Sequence, residues 1–206
     1  DDYVQSGRLK QAEGKRLACC VTVSTPSFVL ITCGSVLLHS FQYGLMIWLA
    51  EFFAVMLLLF FTRSTPVTLQ LDSSREVCSL FENLKEAVVQ AGISLYFIGA
   101  YLLLTLVLLN LLTMKLPASW LLPIQCATEF SLGTNNLALL PLASWIKALL
   151  MTLVLGFASF SVHLQVLSLT PHLKLAYPRY FSFRIMQMGL AGGVFLLLQL
   201  LQLWRS

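Results

Sequence analysis

Thr128-Glu129-Phe130-Ser131-Leu132-Gly133-Thr134-Asn135-Asn136 places one carboxylate and a cluster of small polar residues inside a chain that is otherwise close to pure hydrocarbon. A carboxylate at membrane depth is costly and is seldom kept without a partner, a proton or a substrate to serve. Glycine, threonine and two asparagines interrupt the apolar run, and Pro123 and Pro141 bracket it. Such a pattern reads as broken helix, and irregular backbone persists in lipid only where protein buries it or where it lines a cavity. An acidic residue beside a helix break is the sequence pattern of a transporter binding site.

The rest of the chain sets this stretch in a membrane. Of 206 residues, 58% are hydrophobic and only 11% charged, against about 25% charged in a soluble domain. Mean hydropathy is +0.82. Leu17–Ala50, Ala87–Met114, Ala148–Thr170 and Ile185–Trp204 carry no Asp, Glu, Lys or Arg. Each meets the roughly 20 residues that a spanning helix needs. Tyr43–Phe61 is a further span interrupted only by Glu51. The expected fold is therefore an all-α polytopic membrane protein of about five transmembrane helices, with broken or re-entrant segments in the manner of inverted-repeat transporters.

The net charge of +4 is spread along loops. Without a basic cluster interleaved with aromatics it points to topology, and no nucleic-acid partner is expected. Ten of the 13 Lys and Arg residues fall before the first span, in the 62–91 region or in the 171–184 loop, which places those three in the cytoplasm. Lys115, Lys147 and Arg205 fall on the other side. For this alternation to close, residues 116–140 enter and leave by one face, as a re-entrant hairpin with Glu129 near its tip. Ser79–Gln90 places Leu80, Leu84, Ala87 and Val88 on one helical face, and is expected as a short amphipathic helix in the interface or in a surface linker.

Two further breaks stand out. Ser24-Thr25-Pro26 interrupts the first apolar run, where proline removes a backbone donor and kinks or ends a helix. Gly156-Phe157-Ala158-Ser159-Phe160-Ser161-Val162-His163-Leu164-Gln165 mixes small residues that allow close helix approach with polar atoms at membrane depth. On one continuous helix His163 and Gln165 point apart, so the segment must unwind or be enclosed by protein. A lone His is more often a packing residue than a proton carrier, but beside Glu129 it suggests a polar cavity. A short echo, Leu9-Lys10-Gln11-Ala12 and Leu173-Lys174-Leu175-Ala176, hints at internal duplication. The resulting organisation is 1–61 as the end of a first repeat, 62–91 as cytoplasmic loop and amphipathic helix, and 92–206 as a second repeat. That second repeat holds the re-entrant 116–140 and the broken helix 148–170.

The segment Gly156-Phe157 followed by Ser161-Val162-His163-Leu164-Gln165-Val166-Leu167-Ser168 resembles the signature of the sporulation integral membrane protein YlbJ family, within the nucleoside-recognition (Gate) domain proteins. Glu129 and the residues after it are similar to that family's Glu-x-Thr/Ser-x-Gly segment. Arg179-Tyr180-Phe181-Ser182-Phe183-Arg184 fits the pattern after the signature, and Ser24-Thr25-Pro26-Ser27-Phe28 resembles the family's Ser-Gly-Pro-x-Phe turn. The chain departs from it where the Gly-rich turn is Ala158-Ser159, and the resemblance implies that it is similar to the C-terminal half of a longer family member. The resemblance implies a role in spore formation and transport of dipicolinate toward the forespore, in the bacterial membrane surrounding it.

Glu129, Gly133, Thr134, Asn135, Ser159, Ser161, His163, Gln165, Ser24 and Thr25 are accordingly the candidate substrate-binding residues. Helix N-termini at the breaks suit a carboxylate ligand, and Glu129 would couple transport to a proton or cation, with His163 or Lys147 as its partner. A nucleoside cargo, or a non-transporting scaffold subunit, are the alternatives. The expected partners are the lipid bilayer, the small-molecule substrate and a coupling ion, with homo-oligomerisation left open and no cofactor or metal. Enzymatic activity is not expected, since Ser161 and His163 stand only two residues apart without a nucleophile motif. The five cysteines lack metal or disulfide spacing and read as small apolar fillers. Glu51 either faces the cavity or lies where a tilted helix meets the interface, and an interhelical hydrogen bond is favoured over a role in transport because buried ionisable groups generally find partners.

Overall fold

The computed structural model describes residues 4, 9–20, 23–62 and 80–203, with the side chains of Asn83 and Leu203 left aside. Helices and short connections account for them. In chain order they are α1 (Gln11–Cys20), α2 (Phe28–Leu37), α3 (Phe41–Phe61), α4 (Leu80–Thr113) and α5 (Ala118–Thr128). Then follow α6 (Phe130–Ala138), α7 (Ser144–Phe157), α8 (Ser159–Leu169), a 3₁₀ turn at Pro171–Leu173, and α9 (Tyr177–Leu203).

Four helical runs among the described residues are long and apolar enough to cross a membrane: α3, α4, the α7–α8 pair, and α9. The chain is an all-α polytopic membrane protein. The fifth apolar element, α2, has 10 residues and is too short to cross alone. It completes a broken span with α1. Arg16 on α1 donates to Thr62 Oγ1 just past the end of α3, Ser24 meets Glu51 at the midpoint of α3, and Gly34 on α2 meets Gly44 near the start of α3. The α1–α2 pair thus runs the length of α3, interrupted halfway. Pro26 does not kink a continuous helix; it opens the new one, where its missing N–H costs nothing. The new helix is wound wide, with the Leu38 amide reaching the Cys33 carbonyl five residues back.

The core is a bundle of α3, α7 and α9 with α2 and α6 packed on it. Ile47, Ala50, Met151, Leu155 and Phe195 are fully enclosed in one cluster, and Leu58, Cys19, Cys20 and Tyr180 form a second at the α1 end. Lipid gives no hydrophobic drive for helices to associate, so close packing has to hold them. Small residues allow it: a Cβ on Gly156 would lie 3.1 Å from the Met188 Cα, and one on Gly192 would lie 2.7 Å from Leu153 Cδ2. These contacts make α7 and α9 antiparallel neighbours.

The re-entrant expectation for 116–140 takes the form of α5 and α6, a helical hairpin with one extended residue, Glu129, between the helices. At about 1.5 Å per residue the two measure roughly 16 and 13 Å, about half the hydrocarbon thickness. The Asn136 amide donates to Gln125 Oε1 at 2.8 Å and closes the hairpin side to side. Two expectations are corrected. Leu80–Gln90 is no separate interfacial helix but the first turns of α4, which continues to Thr113; Gly92 lowers helix propensity without ending a cooperative helix. Ser79 lies outside the described residues. Arg184 belongs to no loop: it lies two turns inside α9, fully buried, with its guanidinium donating to the Cys19 carbonyl.

Candidate functional site

Three helix interruptions meet at one cavity of about 570 Å³. Val23, Ser24, Thr25 and Phe28 come from the break before α2 and its first turn. Glu129, Phe130 and Ser131 come from the α5–α6 link, and Ala158, Val162 and Gln165 from the α7–α8 link and α8. Ile98 and Leu102 of α4 form the remaining wall. In each case the N-terminal end of the following helix reaches the cavity, joined at Glu129 and Ala158 by the C-terminal ends of α5 and α7. The backbone amides of a first helical turn have no intrahelical acceptor, and together with the aligned peptide dipoles they carry roughly half a positive charge per helix. The walls are largely apolar, with Phe28 and Phe130 in edge-to-face contact at 5.2 Å.

Glu129 is 2% exposed and caps α6. One carboxylate oxygen accepts from the Ser131 amide at 3.2 Å and from the Ser131 hydroxyl at 2.9 Å. The other two N-termini have no such device: in the turn that Pro26 opens ahead of α2, Ser27 is already helical and places no side chain on the amides, and Ala158 ahead of α8 makes no cap hydrogen bond. The α7–α8 link turns through two left-handed residues, Ala158 at φ 71° and Ser159 at φ 53°. A side chain in that region costs on the order of 1–2 kcal/mol, so packing around the link must hold it there.

Of the ten residues singled out in the sequence, the cavity gathers Ser24, Thr25, Glu129 and Gln165. Gly133 is instead the close approach inside the hairpin, where an added Cβ would fall 2.7 Å from the Cys126 Cα. Thr134 is buried and donates to the Ser131 carbonyl at 3.1 Å, while Asn135 is exposed. Ser159, Ser161 and His163 are buried and do not line the cavity, and His163 lies on the face of α8 turned from Gln165. The two hydroxyls lie 3.0 Å apart, and His163 Nδ1 pairs with the Tyr180 hydroxyl at 3.1 Å within a cage of Phe157, Phe160 and Phe181. Helix α8 stays intact with His163 turned to α9 and Gln165 to the cavity, so protein encloses both faces. Neither expected partner reaches Glu129: His163 is held by Tyr180, and Lys147 Nζ donates to the Ala138 carbonyl at 2.7 Å.

Reading the sequence missed Ser131, the residue that holds Glu129, although it sits within the stretch that drew notice. It also missed the apolar lining from Phe28, Val162, Ile98 and Leu102, which no polar signal marks. Glu51 is fully buried on α3, where one carboxylate oxygen accepts from the Ser24 amide at 3.2 Å and the other finds no hydrogen bond among the described residues. Cys19, Cys20, Cys33 and Cys126 are free thiols, and Cys78 lies outside the described residues. No group of metal-binding side chains occurs among the described residues. No protein-family model, curated protein or solved structure matches this chain.

Proposed function

We propose that the chain is a secondary transporter, or the cargo-binding part of one, that carries a small organic anion through the bilayer. The observation supporting this most strongly is the meeting of three helix N-termini at a single cavity. Because α5 ends at Glu129 and α7 at Ala158, helix dipoles largely cancel at two of the breaks, and what a carboxylate would meet there is the set of first-turn amides without intrahelical acceptors. The uncapped ends of α2 and α8 are left to attract a carboxylate. A cavity of about 570 Å³ lies within the range of roughly 300–1,000 Å³ common for small-molecule sites. Its apolar walls and paired phenylalanines favour a flat aromatic body, and Ser24, Thr25 and Gln165 offer hydrogen bonds at its edge.

An aromatic dicarboxylate has that chemistry. Together with the resemblance around residues 156–168, it leads us to dipicolinate as the cargo and to the membrane around the forespore as the place of action. The test is uptake of labelled dipicolinate into proteoliposomes holding the chain, with unlabelled nucleosides as competitors. Saturable uptake indifferent to nucleosides is the expected result. Competition by nucleosides would reassign the cargo, and no uptake of either by folded protein would overturn the transport reading.

A further inference from the structure

Glu51 lies at the midpoint of a spanning helix and is fully buried. Its Oε2 accepts from the amide of Ser24, a cavity residue, while its Oε1 has no hydrogen bond among the described residues. An ionised carboxylate in such a place normally gathers several donors, so one acceptor oxygen is left over. The Glu129 carboxylate next to the cavity is in the opposite condition, held by the amide and hydroxyl of Ser131.

We propose that Glu51 is a proton-binding site that couples to the cargo cavity through the Ser24 backbone, its free oxygen being where the proton resides. This rests on the transport reading and supplies its coupling ion. The surroundings favour a proton over a metal cation. A cation held by a carboxylate needs several more oxygen ligands, whereas Glu51 has an N–H donor in contact and the Cys33 thiol nearby on α2. The charged group facing it from α9 is Arg184, anchored on the Cys19 carbonyl and lying against the Tyr180 ring, with its guanidinium carbon 5.7 Å from the ring centroid. From α1 come the thiols of Cys19 and Cys20, while its charged residues, Glu13, Lys15 and Arg16, gather at the far end of α3 around Thr62, to which Arg16 donates. Helix α7 brings only Lys147, which is fixed on Ala138.

The charges change in a balanced way. When Glu51 is ionised, its negative charge answers Arg184 and opposes an anion beside Ser24. When it takes up a proton, the positive character of Arg184 and of the α2 N-terminus is released toward the cavity, and an anion is held there. Proton and anion binding therefore favour one another, as reciprocal linkage requires.

The test uses the same proteoliposomes with an imposed pH gradient, comparing wild type with Glu51→Gln and Glu51→Asp. We expect Glu51→Gln to lose gradient-driven accumulation of dipicolinate by tenfold or more, while exchange of labelled for unlabelled cargo across equal pH stays within about twofold. Glu51→Asp keeps a carboxyl and should retain part of the accumulation. Full accumulation by Glu51→Gln would overturn the coupling role and leave the transport reading standing. If wild type neither accumulates nor exchanges cargo, the transport reading fails, and the proton site is tested directly by dicyclohexylcarbodiimide, which adds to protonated carboxyl groups in apolar surroundings. Labelling of wild-type Glu51, read by mass spectrometry, that declines as pH rises from 6 to 9 supports the proton site. Absence of labelling throughout that range overturns it, and this arm requires no variant to fold.

Discussion

Gly34 on α2 and Gly44 on α3 meet with no side chain between them, so closely that a Cβ on the first would stand 2.7 Å from the Cα of the second. This contact fixes the upper half of the broken span against α3, and with it the position of Ser24 beside Glu51. Replacing Gly44 with Val should lower stability by about 1–3 kcal/mol through overpacking, read as a fall in the thermal midpoint in detergent. Gly92→Ala and Gly99→Ala provide the contrast. Both glycines sit in α4 with open space around them, so alanine should be neutral or add up to about 1 kcal/mol.

Strain at the α7–α8 link can be released. Ala158 holds φ 71° without a glycine to ease it, so Ala158→Gly should stabilise the protein by up to about 1 kcal/mol, the conformational gain exceeding the added freedom of the unfolded chain. A β-branched residue there should do the reverse. Chemical denaturation in mixed micelles would show a higher midpoint for glycine than for wild type and a lower one for valine.

The cap on α6 separates the structural part of Glu129 from its charge. Glu129→Gln keeps an oxygen for the Ser131 amide and should leave the unfolding midpoint almost unchanged. Glu129→Ala removes the cap and should cost about 1 kcal/mol. With the charge gone and the fold kept, Glu129→Gln should also lower the apparent KM for an anionic cargo, a change that cargo titration would detect.

His163 and Tyr180 should be energetically coupled. In a double-mutant cycle with His163→Phe and Tyr180→Phe, the hydrogen bond between them predicts an interaction energy of about 1 kcal/mol. Additive effects would show that aromatic packing alone joins α8 to α9.

The geometry separates two ends of the bundle, and the Lys and Arg bias predicts which of them faces the cytoplasm. The start of α1, the end of α3 and the Pro171–Leu173 turn lie together, with Gln11 donating to the His172 carbonyl and Arg16 to Thr62. With the native cysteines replaced, Lys10→Cys and Leu139→Cys should react with an impermeant maleimide from opposite faces, Lys10→Cys from the cytoplasmic one.

Much of this architecture was legible from the chain. Long uncharged runs identified the spans because lipid tolerates little else, and the alternation of Lys and Arg foresaw that 116–140 turns back on itself. Glu129, Ser24 and Gln165 were found because polar groups are rare in such a chain. The partition of polar residues between two sides of α8 was not legible. Ser161, His163 and Gln165 look alike in sequence, and only the neighbours, Tyr180 for one face and α4 for the other, tell them apart. Arg184 was hidden for a related reason: counted by charge it belongs outside, yet the Cys19 carbonyl, 165 residues away, gives it a place within. Gly133 illustrates the remaining ambiguity, since a glycine that admits a ligand and one that admits a neighbouring helix are written with the same letter.

The turn at Ala158 and Ser159 has a consequence of its own. A left-handed corner is ordinarily spelled with glycine, and glycine is what the eye seeks when tracing such corners through related chains. Here the corner is formed by alanine and serine, so its shape is held by the packing around it and not by the freedom of a glycine. A helix can therefore stop and restart at a point that no glycine or proline marks, provided its neighbours enforce the turn.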